Sequence, residues 1–518
     1  MEKKWCTFFR YPAIHAGVAA FCAGIATHMF ALTNVLQNYD NITASFNGFG
    51  SGVDSGRWFL TFISMGMHKF FGGYNLPWFN GVIAIFLLAV SAAFLASTLR
   101  FRKTWTAVLL GILFAIFPTA ASILFFRFVS MYDALAILLA VIAAWVLSRH
   151  KWGLLISACC TACSMGIYQA YFPITVTTLV VLLIRRTAEG EKFTRVFKNG
   201  VLFLLSLAAG LVAYFVCQKA VMLLLDAQLN NYQGIATMGQ IDLERIPQIV
   251  ASTYASVFKI PFSDYCDIAP NLLAKCLVGS LGILSILMNI MILCMRKCEV
   301  KQWLLAIMLW AVFPIAINLI AVMAPESNIY TMMVYSFVFL FITPLVLVDA
   351  GYDLTEQKCF VKVKPFLSKL IVAVAVLVSL AALNYMYLDN ANYTAMYYTT
   401  KQTENYFNNL VTQVRMTEGY QLSQEWAFIG DRFNDPLLEP EWGEVPLYGG
   451  NDAININAYS RMRWIKTYVG YDILLADEDT IKMLEVHPEV TDMPCFPDEG
   501  SIRIINNTVV IKLEAPAT

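Results

Sequence analysis

Long apolar runs alternate with short polar links from the start of the chain to about residue 388, where the pattern changes. A membrane-crossing helix needs about 20 apolar residues. The runs predict eleven such helices, over residues 12–36, 77–98, 105–124, 132–148, 153–169, 172–184, 199–225, 273–294, 303–323, 330–348 and 370–388. The stretch 153–184 is too long for one span and barely enough for two. Tyr168-Gln169-Ala170-Tyr171-Phe172-Pro173 sits at its midpoint, with Pro173 as the helix breaker.

Cationic residues in the links set the orientation. They fall at Lys3, Lys4 and Arg10, then at Arg100, Arg102 and Lys103, then at Arg149 and Lys151, then at Arg185, Arg186, Lys192, Arg195 and Lys198. Arg296, Lys297 and Lys301 follow, and then Lys358, Lys362, Lys364 and Lys369. Every second link is basic, and merging the short pair of helices would break that alternation. The pattern predicts a cytoplasmic N-terminus, with segments 37–76, 125–131, 168–173, 226–272, 324–329 and all that follows residue 389 on the outside. The first apolar run is too long for a signal peptide and lacks a small-residue cleavage site, so it reads as a retained helix.

Two regions depart from the plain alternation. "RWFLTFISMGMHKFFGG" sets Trp58, Phe59, Phe62, Ile63, Met67, Phe70 and Phe71 against Arg57, His68 and Lys69, which predicts an amphipathic, interfacial helix in the first outside segment. Residues 389–518 carry more charge and proline. There "TKQTENYFNNLVTQVRM" predicts a helix, "EWAFIG" and "YDILLAD" predict strands, and "SIRIINNTVVIKLE" predicts a hairpin turning at Asn506-Asn507. The expected fold is an all-α polytopic membrane protein over residues 1–388, with a large first outside loop at 37–76, followed by a small α/β extracytoplasmic domain at 389–518.

Composition agrees. The 518 residues are 58% hydrophobic and 14% charged, with mean hydropathy +0.61, against about 45–50% apolar and about 25% charged in soluble proteins. The net charge is zero, so no basic surface argues for nucleic acid. The twelve cysteines lie mostly in apolar runs and show no disulfide framework. Cys160-Thr-Ala-Cys163 has ligand spacing but no second pair nearby, which reads as core packing.

Charged residues near the membrane are costly and therefore candidates for function. Those predicted to lie outside are Asp40, Asp54 and Arg57, together with Arg127 and Asp133 in "FFRFVSMYDALAIL". Beside that stands a plain structural reading, in which Asp133 caps its helix. Tyr168 and Gln169 read either as site residues or as a packed amide bonded to a neighbouring helix. Gly48, Gly50, Gly52 and Gly56 form no phosphate loop but mark a sharp bend or a close approach. Trp426, Trp442, Trp464 and Tyr448 read as core packing or as sugar-stacking rings. The five histidines are scattered and argue for no metal site. With no nucleotide-binding motif and little cytoplasmic mass, a transferase of this design needs a donor presented from the membrane, such as a lipid-phosphate sugar. Arg57 or Arg127 suits its phosphate, and an aspartate at the end of the first helix suits the general base.

"YDN" after the first helix, "DSGRWF" some fifteen residues on, "RFVSMYDALAILLA" opening a later helix and "GIYQAYF" in a short hairpin resemble the bacterial Gtr-type serotype-converting glucosyltransferases of the GT-C superfamily. The likeness covers residues 10–350 in order and topology. It implies transfer of glucose, or a similar hexose, from polyprenyl phosphate to a cell-surface glycan on the outer face. It also implies inversion at the anomeric carbon and no cofactor or metal. Where the family places two adjacent acidic residues after the first helix, this chain has Asp40 followed by Asn41. The catalytic role therefore carries over to Asp40, with Asp54 in reserve. Arg57 would bind donor phosphate or acceptor, and Arg127, Asp133, Tyr168 and Gln169 would line the site or brace the loop. Action alone or beside a donor synthase and a flippase stays open, as do a flippase or transporter of lipid-linked sugars and a scaffold displaying the tail. Charge-poor helix interiors speak against transport.

Overall fold

A computed structural model of the chain describes residues 11–44, 52–150, 152–230, 243–355, 364–431, 448 and 457–514. Trp442, Gly48 and Gly50, and the basic residues Lys3, Lys4, Arg10, Lys151, Lys358 and Lys362, lie outside the described residues. The chain divides into two compact units, Met1–Thr33 with Phe49–Ala391, and Asn34–Gly48 with Asn392–Thr518.

The first unit is helical throughout. Among the described residues ten helices are long and apolar enough to cross a membrane, and Gly153–Ile167 is a shorter apolar one. The chain is a multi-pass membrane protein. Helix α1 is Tyr11–Thr33, α2 is the short Tyr39–Thr43, α3 is Trp58–Phe71 and α4 is Pro77–Thr98. The predicted 105–124 span is two pieces, α5 (Thr104–Ile116) and α6 (Pro118–Phe125), because Phe117 before Pro118 is extended at φ −64°, ψ 142°. Then come α7 (Ser130–Arg149), α8 (Gly153–Ile167), α9 (Phe172–Ala188) and α10 (Phe193–Leu225). The predicted break between the short pair is present: Tyr168 is extended, Gln169–Tyr171 forms a 3₁₀ turn and Pro173 sits in the first turn of α9. Next are α11 (Ile246–Lys259), α12 (Leu272–Met295), α13 (Val300–Ile317), α14 (Leu319–Met323) and α15 (Phe339–Gly351). The predicted 303–323 span breaks at Asn318, four residues after Pro314 removes a helical donor.

Small residues let the helices approach closely. α1 packs on α4 and α5, and a Cβ on Gly111 of α5 would sit 2.1 Å from the Ala16 carbonyl oxygen. Along the bundle α4 packs on α7, α7 on α8 and α8 on α10. α3 buries Trp58, Leu60, Thr61 and Ser64 and exposes Phe62, Met65, Phe70 and Phe71.

One end of the bundle is stapled by charge. Asp349 is fully buried and pairs with the equally buried Arg185 at 2.6 Å. It also accepts from the Arg102 and Lys103 backbone amides at 2.9 and 2.8 Å and from Thr106 Oγ1 at 3.1 Å, capping α5 from a distant helix. Arg100 pairs with Glu191 at 2.9 Å, Arg102 with Glu189 at 2.6 Å, and Gln302 donates to the Glu191 carbonyl at 2.9 Å. Three of the basic links thus meet at one end of the unit.

Helix α16 runs from Lys364 to Met416, so the predicted 370–388 span and the tail helix are one element, and the division between units falls within it. Residues 389–407 contain no glycine or proline, so nothing in the chain ends the helix when its composition turns polar. In the second unit β1 (Glu425–Ile429) pairs in parallel with β3 (Thr508–Lys512), which pairs antiparallel with β2 (Ile502–Ile505), in the order β1-β3-β2. Asn506 and Asn507 turn the hairpin with φ of 48° and 63°, as a two-residue type I′ turn requires. "YDILLAD" is not a strand. Leu475 makes a single bridge to Trp426, and Leu474 and Leu475 are exposed, so the stretch lacks the buried face a paired strand needs. Helix α17 is Ala458–Trp464. The core packs Tyr406, Phe407, Leu410 and Val414 of α16 with Trp426, Trp464, Phe496 and Val509, and Ile42 of α2 joins it.

Candidate active site

The polar insert after the first predicted span is divided between the two units. Residues 52–57 belong to the first unit, and Asp40 belongs to the second.

Residues 52–57 form one tight turn. Val53–Ser55 is a 3₁₀ turn, and the Gly56 and Arg57 amides donate to the Val53 and Gly52 carbonyls, each at 3.0 Å. Asp54 Oδ1 accepts from the Gly52 amide at 3.2 Å, the local bond that short acidic side chains offer a turn. Two helical segments and a link then clamp it. Gln169 Nε2 donates to the Ser55 carbonyl and to the Tyr214 hydroxyl, both at 3.0 Å. The Tyr214 hydroxyl donates to the Gly56 carbonyl at 3.1 Å, and Gln218, one turn along α10, donates to the Val53 carbonyl at 2.8 Å. Asn230 Nδ2 donates to Asp54 Oδ2 at 3.1 Å and to Ser55 Oγ at 3.2 Å. Gly56 has φ +74°, and a Cβ there would sit 2.5 Å from both Gln169 Nε2 and Tyr214 Oη. Only glycine fits this position.

The clamp presents Arg57 in the residue before α3. Its guanidinium lies over the Tyr168 ring, 4.5 Å from the centroid, a cation–π contact that holds charge at a half-buried place. Tyr168 meets Tyr171 edge to face at 5.3 Å. Asp133, in the first turn of α7, is 4% exposed. It is not the helix cap: Val129 takes that position with no side-chain bond. Arg57 is within electrostatic range of Asp133, Tyr171 and Tyr214. Trp58 packs with Val53, Ala162, Met165, Phe172 and Tyr214.

The structure therefore brings Asp54, Arg57, Asp133, Tyr168 and Gln169 into one region of the first unit. Asp54 is exposed there, with both carboxylate oxygens bonded within the turn and to Asn230. Arg127 is buried in the link before α7, and its carbonyl accepts from Asn80 Nδ2 and Ser130 Oγ, each at 3.1 Å. Tyr171, Tyr214, Gln218 and Asn230 escaped the sequence reading. Tyr214 and Gln218 left a usable signal, two polar residues at i and i+4 in the mostly apolar second half of α10.

Asp40 sits in the first turn of α2, which Asn38 caps by accepting from the Asn41 amide at 2.7 Å. The Tyr459 hydroxyl of α17 lies 3.5 Å from Asp40 Oδ1 and accepts from Thr43 Oγ1 at 3.0 Å. The segment is bound into its unit through Ile42 in the core and through Gln37, whose amide donates to Thr400 Oγ1 at 3.1 Å. Trp426, Trp464 and Tyr448 are each 2% exposed or less, so all three are core residues rather than stacking platforms. Among the described residues no group of three or more His, Cys, Asp or Glu side chains could hold a metal ion.

The profile of glucosyl transferase GtrII matches residues 29–341, more than half of the chain. The chain belongs to the GtrII glucosyl transferase family. The match contains Asp40, Asp54, Arg57, Arg127, Asp133, Tyr168 and Gln169, and with them the clamp residues Tyr214 and Gln218. GtrII membership favours a glucosyltransferase over a transporter or a scaffold and agrees with the resemblance read from the motifs. The sheet of the second unit lies beyond the GtrII match. No curated protein and no solved structure matches the chain.

Proposed function

We propose that this GtrII-family protein transfers glucose, or a similar hexose, from polyprenyl phosphate to a cell-surface glycan on the outer face of the membrane. The observation that carries the reading is Arg57. A rigid turn holds a guanidinium against the Tyr168 ring, half-buried, beside a buried carboxyl group. That is a suitable cation for a lipid phosphate leaving group, because charge developing there in the transition state is stabilised most by a donor already in place. In the reaction the acceptor oxygen bonds to the anomeric carbon, the bond from that carbon to the phosphate oxygen breaks, and the hydroxyl proton passes to a carboxylate. Asp40 is the proposed acid/base residue. Asp54, with both oxygens engaged, shapes the turn. Asp133, Arg127, Tyr168 and Gln169 line the site or brace it.

The outer-face assignment rests on the alternation of basic links, which the charge staple supports by joining three of them at one end. The exposed apolar end of α3 suits an interfacial helix close to a lipid-borne donor. The acceptor glycan and the lipid-linked donor are the partners, alongside the bilayer. No cofactor is proposed.

Membranes given radiolabelled polyprenyl-phosphate glucose and the extracted surface polymer test this. Wild type labels the polymer, and Asp40→Asn lowers labelling by at least ~100-fold, within the usual worth of acid–base catalysis. Equal labelling by both removes Asp40 from the mechanism. Labelled lipid that crosses the bilayer with no labelled polymer overturns the transferase reading in favour of a flippase.

A further inference from the structure

The buried side-chain atoms near the Arg57 turn with no hydrogen-bond partner among the described residues include four at its core: Arg57 Nε, Trp58 Nε1, Asp133 Oδ2 and the Tyr171 hydroxyl. A buried polar group left unpaired destabilises a fold. One such atom is commonplace; donors, an acceptor and a phenol collected in one packed region point to a ligand that supplies the missing partners. Tyr171 is 0% exposed. Its ring meets Tyr168 at 5.3 Å, and Tyr168 carries the Arg57 guanidinium at 4.5 Å. α7, which bears Asp133, packs against the 3₁₀ turn that bears Tyr171.

The chemistry of the set narrows the ligand. A phosphate offers only acceptors at neutral pH, and it would leave Asp133 unpaired and repelled. A lipid chain satisfies none of the four atoms. A polyol both donates and accepts, so of these three ligands it is the one that completes a carboxylate and a phenol together. We infer that Asp133 and Tyr171 read hydroxyl groups of the transferred hexose, the carboxylate accepting from one hydroxyl and the phenol bonding its neighbour. This rests on the proposed function and adds a division of labour: Arg57 meets the phosphate, and Asp133 with Tyr171 selects the sugar.

The test uses the full chain in nanodiscs, with glucosyl polyprenyl phosphate and its monodeoxyglucosyl analogues as probes, and measures both equilibrium binding and transfer. Wild type is expected to disfavour at least one deoxy analogue by ~10-fold or more, since a site built to bond a hydroxyl rejects the ligand that lacks it. Tyr171→Phe and Asp133→Asn are expected to bring that ratio to within ~3-fold of unity. Tyr171→Phe removes an oxygen without a partner, so its thermal midpoint should not fall, and a lost ratio cannot be put down to misfolding. Variants that weaken every donor in equal proportion, or a wild type that ignores the deoxy changes, overturn the inference while leaving the transferase reading intact. Discriminating binding without transfer supports the inference and overturns the transferase reading. Neither binding nor transfer overturns both.

Discussion

Gln169 Nε2 donates to the Ser55 carbonyl at 3.0 Å across 114 residues of sequence, and this bond joins the first polar insert to the break between two short helices. The two motifs that look separate along the chain are halves of one clamp. Its third member, Tyr214, bonds both Gln169 and the Gly56 carbonyl.

Gly56→Ala should disable the clamp. The residue has φ +74°, and a Cβ would meet Gln169 Nε2 and Tyr214 Oη at 2.5 Å. Strain in this backbone region costs on the order of 1–3 kcal/mol, and the turn must shift to relieve the contacts. Glucose transfer should fall at least ~10-fold. Gly66→Ala, whose Cβ meets nothing within 4 Å, is the control and should leave transfer unchanged.

Asp349→Ala should act on stability rather than on sugar chemistry. It removes one of the two carboxylates that the fully buried Arg185 pairs with, leaving Glu189 at 3.1 Å, and it uncaps the start of α5. Breaking a buried pair from one side is destabilising by about 3–5 kcal/mol. The folded yield and the thermal midpoint should drop, and the protein that does fold should keep its donor KM. An unchanged midpoint would show that the staple is idle.

Asp267 gives stability a pH dependence. Burial, with the nearby Asp264 charge adding to it, pushes its carboxyl group above the usual range, and the bond from Thr331 opposes this. A carboxyl group whose folded pKa is raised adds stability below its unfolded pKa and loses it as pH rises through the folded value. Asp267→Asn keeps an acceptor for Thr331 without the charge. Its thermal midpoint should equal or exceed that of wild type at neutral pH, and that advantage should shrink as the pH falls through the raised folded value and be gone below about 4, the unfolded value. Midpoints measured across that range check the sign.

The helical bundle was legible because membrane spans need length and apolar composition, and nothing else in the chain competes with that signal. The proline break at Pro173 was legible because polar Tyr168 and Gln169 flank it, and the one at Pro118 was missed because the run around it is almost wholly apolar. The long α16 was hidden because a change from apolar to polar composition looks like a domain boundary, while helix continuity depends only on the absence of a stop. The site was partly legible. Arg57, Asp133, Tyr168 and Gln169 stood out as polar residues in apolar surroundings, and Tyr171 was passed over because tyrosine in an apolar run looks like packing. Trp426 and Trp464 invited a sugar-binding reading that burial in the core of the second unit removes. The placement of Asp40 in that second unit depends on Ile42 and Gln37 packing against residues far along the chain, which no local pattern announces.

The most direct measurement is the rate of glucose transfer from glucosyl polyprenyl phosphate by the purified full chain in liposomes, comparing wild type with Arg57→Gln and Arg57→Lys. Wild type should transfer. Arg57→Gln should lose at least ~100-fold in kcat/KM, about 2.7 kcal/mol of transition-state stabilisation, and Arg57→Lys should recover part of it as a point charge without the fork. Transfer by Arg57→Gln at the wild-type rate would contradict the account.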